Sequence, residues 1–201
     1  IYDNDDPRYW ADDMVNGLHA AFPFVKVMGT ALSAKRAIKA WKRLEPTRHA
    51  LPIPAYVLRV LVVICFHTER VPLGLCLWFG FHCLLRPSEL TSAKVSDLIF
   101  DDSSGGQAVF VIQKPKTAWC AASRQAVIVH DKSLSASLRR YVHGRPGSDG
   151  LFPVTYQQFN PMLRGLLRQA GLDGVPFTAR GLRGGGATDL WIRSGSTDIV
   201  M

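Results

Sequence analysis

Over most of the chain, apolar residues recur at the spacing that places them on one face of an α-helix. In residues 31–44, for example, the apolar positions include Leu32, Ile38 and Trp41. The segments for which this spacing predicts helices are 9–19, 31–44, 55–67, 73–85, 87–93, 133–143, 155–170 and 182–193. The Asn160-Pro161 pair leaves a start at Asn160 as an alternative to Thr155 for the helix at 155–170.

The middle of the chain changes to the pattern of β-strands. Residues 95–100, 108–113 and 125–129 are rich in Val, Ile and Phe, and Asp, Ser and Gly fill the turn at 101–106. Helices therefore flank a short meander. We predict an α+β fold that is mainly helical, with a small three-stranded antiparallel sheet.

Prolines mark a boundary between two domains. Pro46, Pro52 and Pro54 lie close together, and proline breaks helices and stiffens linkers. We predict one domain over residues 1–45 and a second over 46–201. The longest apolar run, 71–85, is shorter than the roughly 18 residues that span a bilayer. We therefore expect a buried core helix there and no membrane partner.

The net charge of +8 favours a polyanionic partner, and basic residues concentrate in 35–48 and 164–193. The cysteines Cys65, Cys76, Cys83 and Cys120 form no CxxC pair. Buried free thiols in a reducing compartment fit them better than disulfides or a zinc site, so we expect an intracellular protein, nuclear if eukaryotic.

Arg86 and Glu89 follow the apolar run on a predicted turn. An arginine fork can bind two phosphate oxygens at once, and a nearby carboxylate can hold that fork in place. An ordinary ion pair within one helix is the alternative explanation for an arginine and a glutamate three residues apart.

A basic loop joins the second and third predicted strands. Lys114 and Lys116 lie at its tip, and Arg124 lies at its end. A lysine near a phosphate can protonate a leaving alkoxide, although most loop lysines only increase solubility.

A third basic element, Arg180 and Arg183, precedes the three glycines 184–186. Glycine lets a backbone or a ligand approach closely, so a phosphate site and a packing contact between helices are both possible. The segment matches neither a P-loop nor a dinucleotide-binding fingerprint.

Taken in order, these elements resemble the catalytic domain of the tyrosine recombinase family, which includes the phage integrases. That family presents Arg-x-x-Glu-Leu after a helix pair, a lysine on a β-hairpin, and a His-x-x-Arg-like element ahead of Ala-Thr. The matching residues here are Arg86, Glu89, Leu90, Lys116, Arg180, Arg183, Ala187 and Thr188. The resemblance covers about residues 51–201, particularly to integrase-like domains of eukaryotic mobile elements. Residues 31–54 resemble the end of the helical DNA-clamping domain that precedes it.

The resemblance implies that Arg86 and Arg183 bind the scissile phosphate and that Glu89 orients Arg86. Lys116, or Lys114 if the hairpin register differs, would protonate the departing 5′ oxygen. Double-stranded DNA is the implied partner, with a homo-oligomer assembled on it and no metal or other cofactor. Further expected DNA contacts are Lys35, Lys39, Lys42, Lys114 and Arg124.

Two features depart from the family. Arg180 stands where the family usually has histidine, and a guanidinium stays protonated, so it is a poor general base. The nucleophilic tyrosine would lie beyond Met201, so we expect a fragment that forms no covalent DNA adduct alone. Three hypotheses stay open: a truncated strand-transfer enzyme, a non-catalytic DNA-binding domain derived from a mobile element, and a helical protein–protein module with an incidental basic face.

Overall fold

A computed structural model describes residues 8–27, 29, 31–44, 50–101, 106–113 and 125–195. The chain divides into two compact units, Ile1–His49 and Ala50–Met201. In its described part the first unit contains helices α1 (Arg8–Ala21), α2 (Pro23–Val27) and α3 (Leu32–Leu44). The sequence pattern does not predict α2, because five residues are too few to show a helical period.

A small apolar core holds the first unit together. Its buried members are Ala11, Val15, Ala31 and Ile38, and Trp41 packs against them. Leu32, by contrast, is exposed. This core uses one side of α1 and one side of α3, which leaves the basic side of α3 in solvent.

The second unit contains the rest of the described elements, in the order helices, sheet, helices. They are α4 (Ala55–His67), α5 (Val71–His82), α6 (Pro87–Ser92), a 3-10 turn (Val95–Asp97), β1 (Leu98–Phe100), β2 (Ala108–Ile112), β3 (Gln125–Val129), α7 (Lys132–Val142), α8 (Tyr156–Gln169) and α9 (Arg180–Ser194). The predicted fold, mainly helical with a small antiparallel sheet, is confirmed.

The three strands pair in sequence order, β1-β2-β3, and both pairs are antiparallel. Alternate residues of β2 are buried, as expected for a strand with one face on the core. The prediction of a strand from residue 95 was wrong for the first three residues. The Asp97 carboxylate accepts a hydrogen bond of 2.8 Å from the Lys94 amide and closes a turn, so the strand begins at Leu98.

Helix α5 is the centre of the second unit. It is apolar on all sides, and α4, α6, α7 and α9 pack around it. The predicted helix at 73–85 begins two residues after the start of α5 and ends three residues beyond its end. Leu84 takes a left-handed conformation with φ of 53°, and the Leu85 amide donates to the Gly80 carbonyl over 3.0 Å. This Schellman-type ending turns the chain toward Arg86.

Helix α8 begins at Tyr156 with Thr155 as its N-cap, so the alternative start at Asn160 is wrong. The Thr155 hydroxyl accepts from the Gln158 amide over 3.3 Å, and Pro161 lies inside the helix. The Asn160 side chain instead accepts a bond of 2.9 Å from the Ala179 amide. Asn160 therefore ties α8 to the residue that precedes α9.

Cys65, Cys76 and Cys83 are buried free thiols, and Cys120 lies outside the described residues. Burial raises the pKa of Cys65 to about 11, so that thiol stays protonated at neutral pH. None of the helices in the described ranges combines the length and hydropathy needed to cross a membrane.

Candidate DNA phosphate site

Arg86 and Glu89 form a tight local unit at the start of α6. One oxygen of the Glu89 carboxylate accepts the Arg86 backbone amide at 2.7 Å, and the other accepts a guanidinium N–H at 2.8 Å. The Glu89 side chain is only 7% exposed, whereas that of Arg86 is 32% exposed. Glu89 therefore holds both the backbone amide and the guanidinium group of Arg86, and the guanidinium group is still accessible to solvent.

Helix α9 carries Arg183, and glycines bring this helix close to its neighbours. A Cβ at Gly185 would collide with the Ile53 carbonyl, and a Cβ at Gly186 would collide with the Phe81 carbonyl. The Ile53 amide also donates to the Gly181 carbonyl over 3.0 Å. The glycines therefore serve as a packing contact, and that contact seats Arg183 beside the end of α5.

Helix α9 starts at Arg180, two residues before the predicted start. Glycine usually weakens a helix, and this segment contains Gly181 as well as the three successive glycines 184–186. Here Gly181, Gly185 and Gly186 pack closely against backbone atoms from earlier in the chain, and these contacts compensate for the low helix propensity of glycine. The start of α9 is thus determined by tertiary packing.

Arg86, Glu89 and Arg183 line one open cleft of about 850 Å³. The strand β3 forms one wall, the end of α5 forms the floor, and α9 forms the other wall. Burial lowers the pKa of Arg183, the positive charge of Arg86 lowers it further, and Glu89 acts in the opposite direction. The cleft also contains the Asp189–Arg193 ion pair, whose two charges offset each other. Arg86 and Arg183 together with Glu89 therefore leave an excess of positive charge for an anion.

The other predicted site residues lie elsewhere or outside the described residues. Arg180 is exposed at the start of α9 and does not line this cleft. Residues Lys114, Lys116 and Arg124 are among those whose structure is not described. Their assigned roles stay predictions.

Three lysines of the first unit lie along one side of α3. Lys35, Lys39 and Lys42 are all exposed, at spacings that keep them on one helix face. The Lys42 ammonium lies 2.9 Å from the Asp12 carboxylate on α1, so part of its charge is already compensated. Lys35 and Lys39 are the stronger candidates for a DNA contact in this unit.

Five polar residues in the cleft were missed by the sequence reasoning: His82, Gln125, His130, Asp189 and Arg193. Asp189 and Arg193 could have been found, because the series 183, 186, 189 and 193 advances by three or four residues and so follows one side of a helix. The histidines carried no such signal. Among the described residues, no group of three or more metal-ligating side chains is placed to hold a metal ion.

The environment of His82 predicts a stability change with pH. Burial lowers the pKa of His82 below its ordinary 6.5, Arg193 and His130 lower it further, and Asp131 and Asp189 partly offset these effects. Because the unfolded chain binds the proton more tightly, the stabilising contribution is present above about pH 6.5 and is lost as the pH falls. We expect His82→Gln to reduce the loss of thermal stability between pH 7 and about pH 5.

The matched control for that experiment is His143→Gln, since His143 is exposed at the end of α7. Melting temperatures of the three proteins across this pH range provide the comparison. An equal acid sensitivity of the His82→Gln variant and the wild type would contradict the assignment.

Comparison with known proteins identifies the fold of the chain. No family model matches the sequence, and no curated protein matches it significantly. The XerH site-specific recombinase, solved with its difH substrate before cleavage, matches with a TM-score of 0.59 and 15% identity over 77% of this chain and 46% of that one. The chain has the fold of a tyrosine recombinase catalytic domain.

Two further tyrosine recombinase structures match almost the whole chain. XerA recombinase has a TM-score of 0.58 and 16% identity over 98% of this chain and 75% of that one. The integrase of transposon Tn1549, solved with transposon right end DNA, has a TM-score of 0.60 and 13% identity over 96% and 74%. This chain spans about half the length of XerH.

Proposed function

We propose that the chain binds duplex DNA across the cleft, with Arg86 and Arg183 on the same phosphodiester. One observation carries the proposal: residues that are distant in sequence, on α6 and α9, meet in a single cleft within a recombinase fold. Guanidinium groups suit this role because each can donate two parallel hydrogen bonds to phosphate oxygens.

In the intact protein, we propose, this site supports site-specific recombination or integration of DNA. A tyrosine hydroxyl would attack the phosphate, forming a phosphotyrosine bond as the bond to the 5′ oxygen breaks, and Lys116 would donate the proton to that oxygen. Arg86 and Arg183 would stabilise the charge that develops on the non-bridging oxygens. Several protomers would assemble on one DNA.

DNA affinity should depend on both arginines. We expect Arg86→Gln and Arg183→Gln each to weaken duplex binding about tenfold, or about 1.4 kcal/mol. Each should also make the plot of log K against log salt less steep, by at most about 0.9, because one of the two cations on that phosphate is lost. Fluorescence anisotropy with a labelled duplex over a salt series measures both effects.

The matched control is Arg140→Gln, since Arg140 is exposed on α7 and does not line this cleft. This variant also removes one positive charge, so a loss of DNA affinity that all three variants share reflects the lower net charge alone. An unchanged affinity and salt slope in both cleft variants would refute the proposal. Failure of the wild type to bind DNA at low salt would refute it too.

The position of Arg180 favours a second candidate, a DNA-binding domain without catalysis. The resemblance expects an imidazole at this point, and the chain instead has an exposed guanidinium outside the cleft. A full-length protein of this kind would bind DNA through Arg86 and Arg183 but form no covalent complex. Incubation of the full-length protein with a nicked suicide substrate separates the two, because only a recombinase leaves a protein–DNA adduct.

A further inference from the structure

Lys94 lies in a rigid stretch of backbone between α6 and the sheet. The residues on either side of it are hydrogen-bonded to the 149–151 segment, with Leu151 donating to Ala93 over 2.7 Å and Val95 donating to Asp149 over 3.0 Å. The Lys94 side chain is exposed. Among the described residues, no carboxylate lies within ion-pair distance of its ammonium.

Lys94 lines a second cleft, of about 530 Å³, next to the first. Glu89 and Ile112 line both clefts, so the two clefts lie next to each other. The further polar residues of the second cleft are Ser88, Ser92, Ser96, Asp97 and Gln113. The arginine pair and the Lys94 ammonium therefore line adjacent clefts that have Glu89 in common.

Among the residues that the structure describes, Asp97 is the one carboxylate confined to the second cleft, and both of its oxygens already accept hydrogen bonds. One accepts the Lys94 amide at 2.8 Å, and the other accepts the Gln113 side-chain amide at 2.9 Å. Asp97 is also buried, at 6% exposure. It therefore holds the backbone of Lys94 and the head of Gln113 in place, and the ammonium remains available to an external anion.

We propose that Lys94 binds a second phosphate of the same DNA, next to the one held by Arg86 and Arg183. The inference rests on the proposed function, since it takes the two adjacent clefts as the path of a DNA strand. Phosphates repeat along a strand at every nucleotide, about 3.4 Å of helix axis apart, so a strand that follows a groove meets more than one cation. The second hydrogen of the Gln113 amide can donate to the same phosphate.

This subsite predicts one phosphate contact beyond the arginine pair. We expect Lys94→Gln to make the salt dependence of duplex binding less steep by about 0.9 and to weaken binding by a similar factor on unrelated sequences, because phosphate contacts carry no base preference. Lys94→Arg keeps the charge and should retain the slope of the wild type. Anisotropy titrations with fluorescein-labelled duplexes of two unrelated sequences give both quantities.

Lys132→Gln is the matched control, because Lys132 is an exposed lysine on α7 that lines neither cleft. Circular dichroism of each variant establishes that it is folded. An equal slope for Lys94→Gln and Lys132→Gln, while Arg183→Gln still lowers it, overturns the subsite and leaves the proposed function intact. If Arg183→Gln and Arg86→Gln also leave the slope unchanged, both proposals fail.

Discussion

Gly185→Ala is expected to destabilise the second unit by about 3 kcal/mol, at the upper end of the cost of overpacking a core. The added methyl group would meet the Ile53 carbonyl, and it would also lie 2.9 Å from the ring of Phe81. A backbone carbonyl cannot move aside by a change of rotamer, so α9 would have to shift as a whole. Thermal unfolding should show a loss of roughly 6 to 12 °C in melting temperature.

Gly184→Ala, one residue earlier in the same helix, is the matched control. Its nearest neighbours would be atoms of Pro52 at 3.7 Å and beyond, which is ordinary van der Waals contact. Because alanine favours a helix over glycine by about 1 kcal/mol, this variant should be as stable as the wild type or more so. Equal melting temperatures for the two alanine variants would show that α9 does not depend on the close approach at Gly185.

The same pair of variants connects packing with DNA binding. Arg183 lies two residues from Gly185, and the contact at Gly185 positions this part of α9. A shift of α9 should therefore weaken DNA binding even at temperatures where the Gly185→Ala protein is folded, whereas Gly184→Ala should bind as the wild type does. The comparison separates a loss of position from a loss of charge.

Elements with strong periodicity were predictable from the sequence. The all-apolar run of α5 indicated a core helix, and the alternation in β2 indicated a strand with one buried face. The errors lie where a single local bond decides, as at Asp97, or where tertiary contacts outweigh helix propensity, as in the glycine-rich start of α9. Neither effect can be read from periodicity.

The candidate site was predictable only in part. The sequence order pointed to Arg86, Glu89 and Arg183, and the structure brings these three together. The sequence could not place His82 and His130 in the cleft. His82 ends α5 and His130 follows β3, so their proximity depends on how the sheet packs against the helices. Lys94 was likewise overlooked, since a lone lysine on a turn carries no pattern.

Glu89→Ala is expected to destabilise the protein by about 2 kcal/mol, through the loss of two charge-assisted hydrogen bonds. The Arg86 amide and guanidinium would both lose their acceptor. The two arginines would also face each other without the carboxylate that now offsets their repulsion. This loss of stability is smaller than the loss expected for breaking a fully buried ion pair, because the Arg86 side chain is 32% exposed. Melting curves at neutral pH give the measurement.

Asp173→Ala supplies the comparison, since Asp173 forms an exposed pair with Arg168 at 3.5 Å and should cost less than about 0.5 kcal/mol. A double-mutant cycle with Arg86→Ala tests whether Glu89 acts through Arg86. If it does, the cost of Glu89→Ala should fall by about 1 to 2 kcal/mol once Arg86 is already alanine. Additive losses would mean that Glu89 stabilises α6 independently. In that case the carboxylate would be a helix-capping group, and Arg86 would owe its position in the cleft to the turn at Leu84 alone.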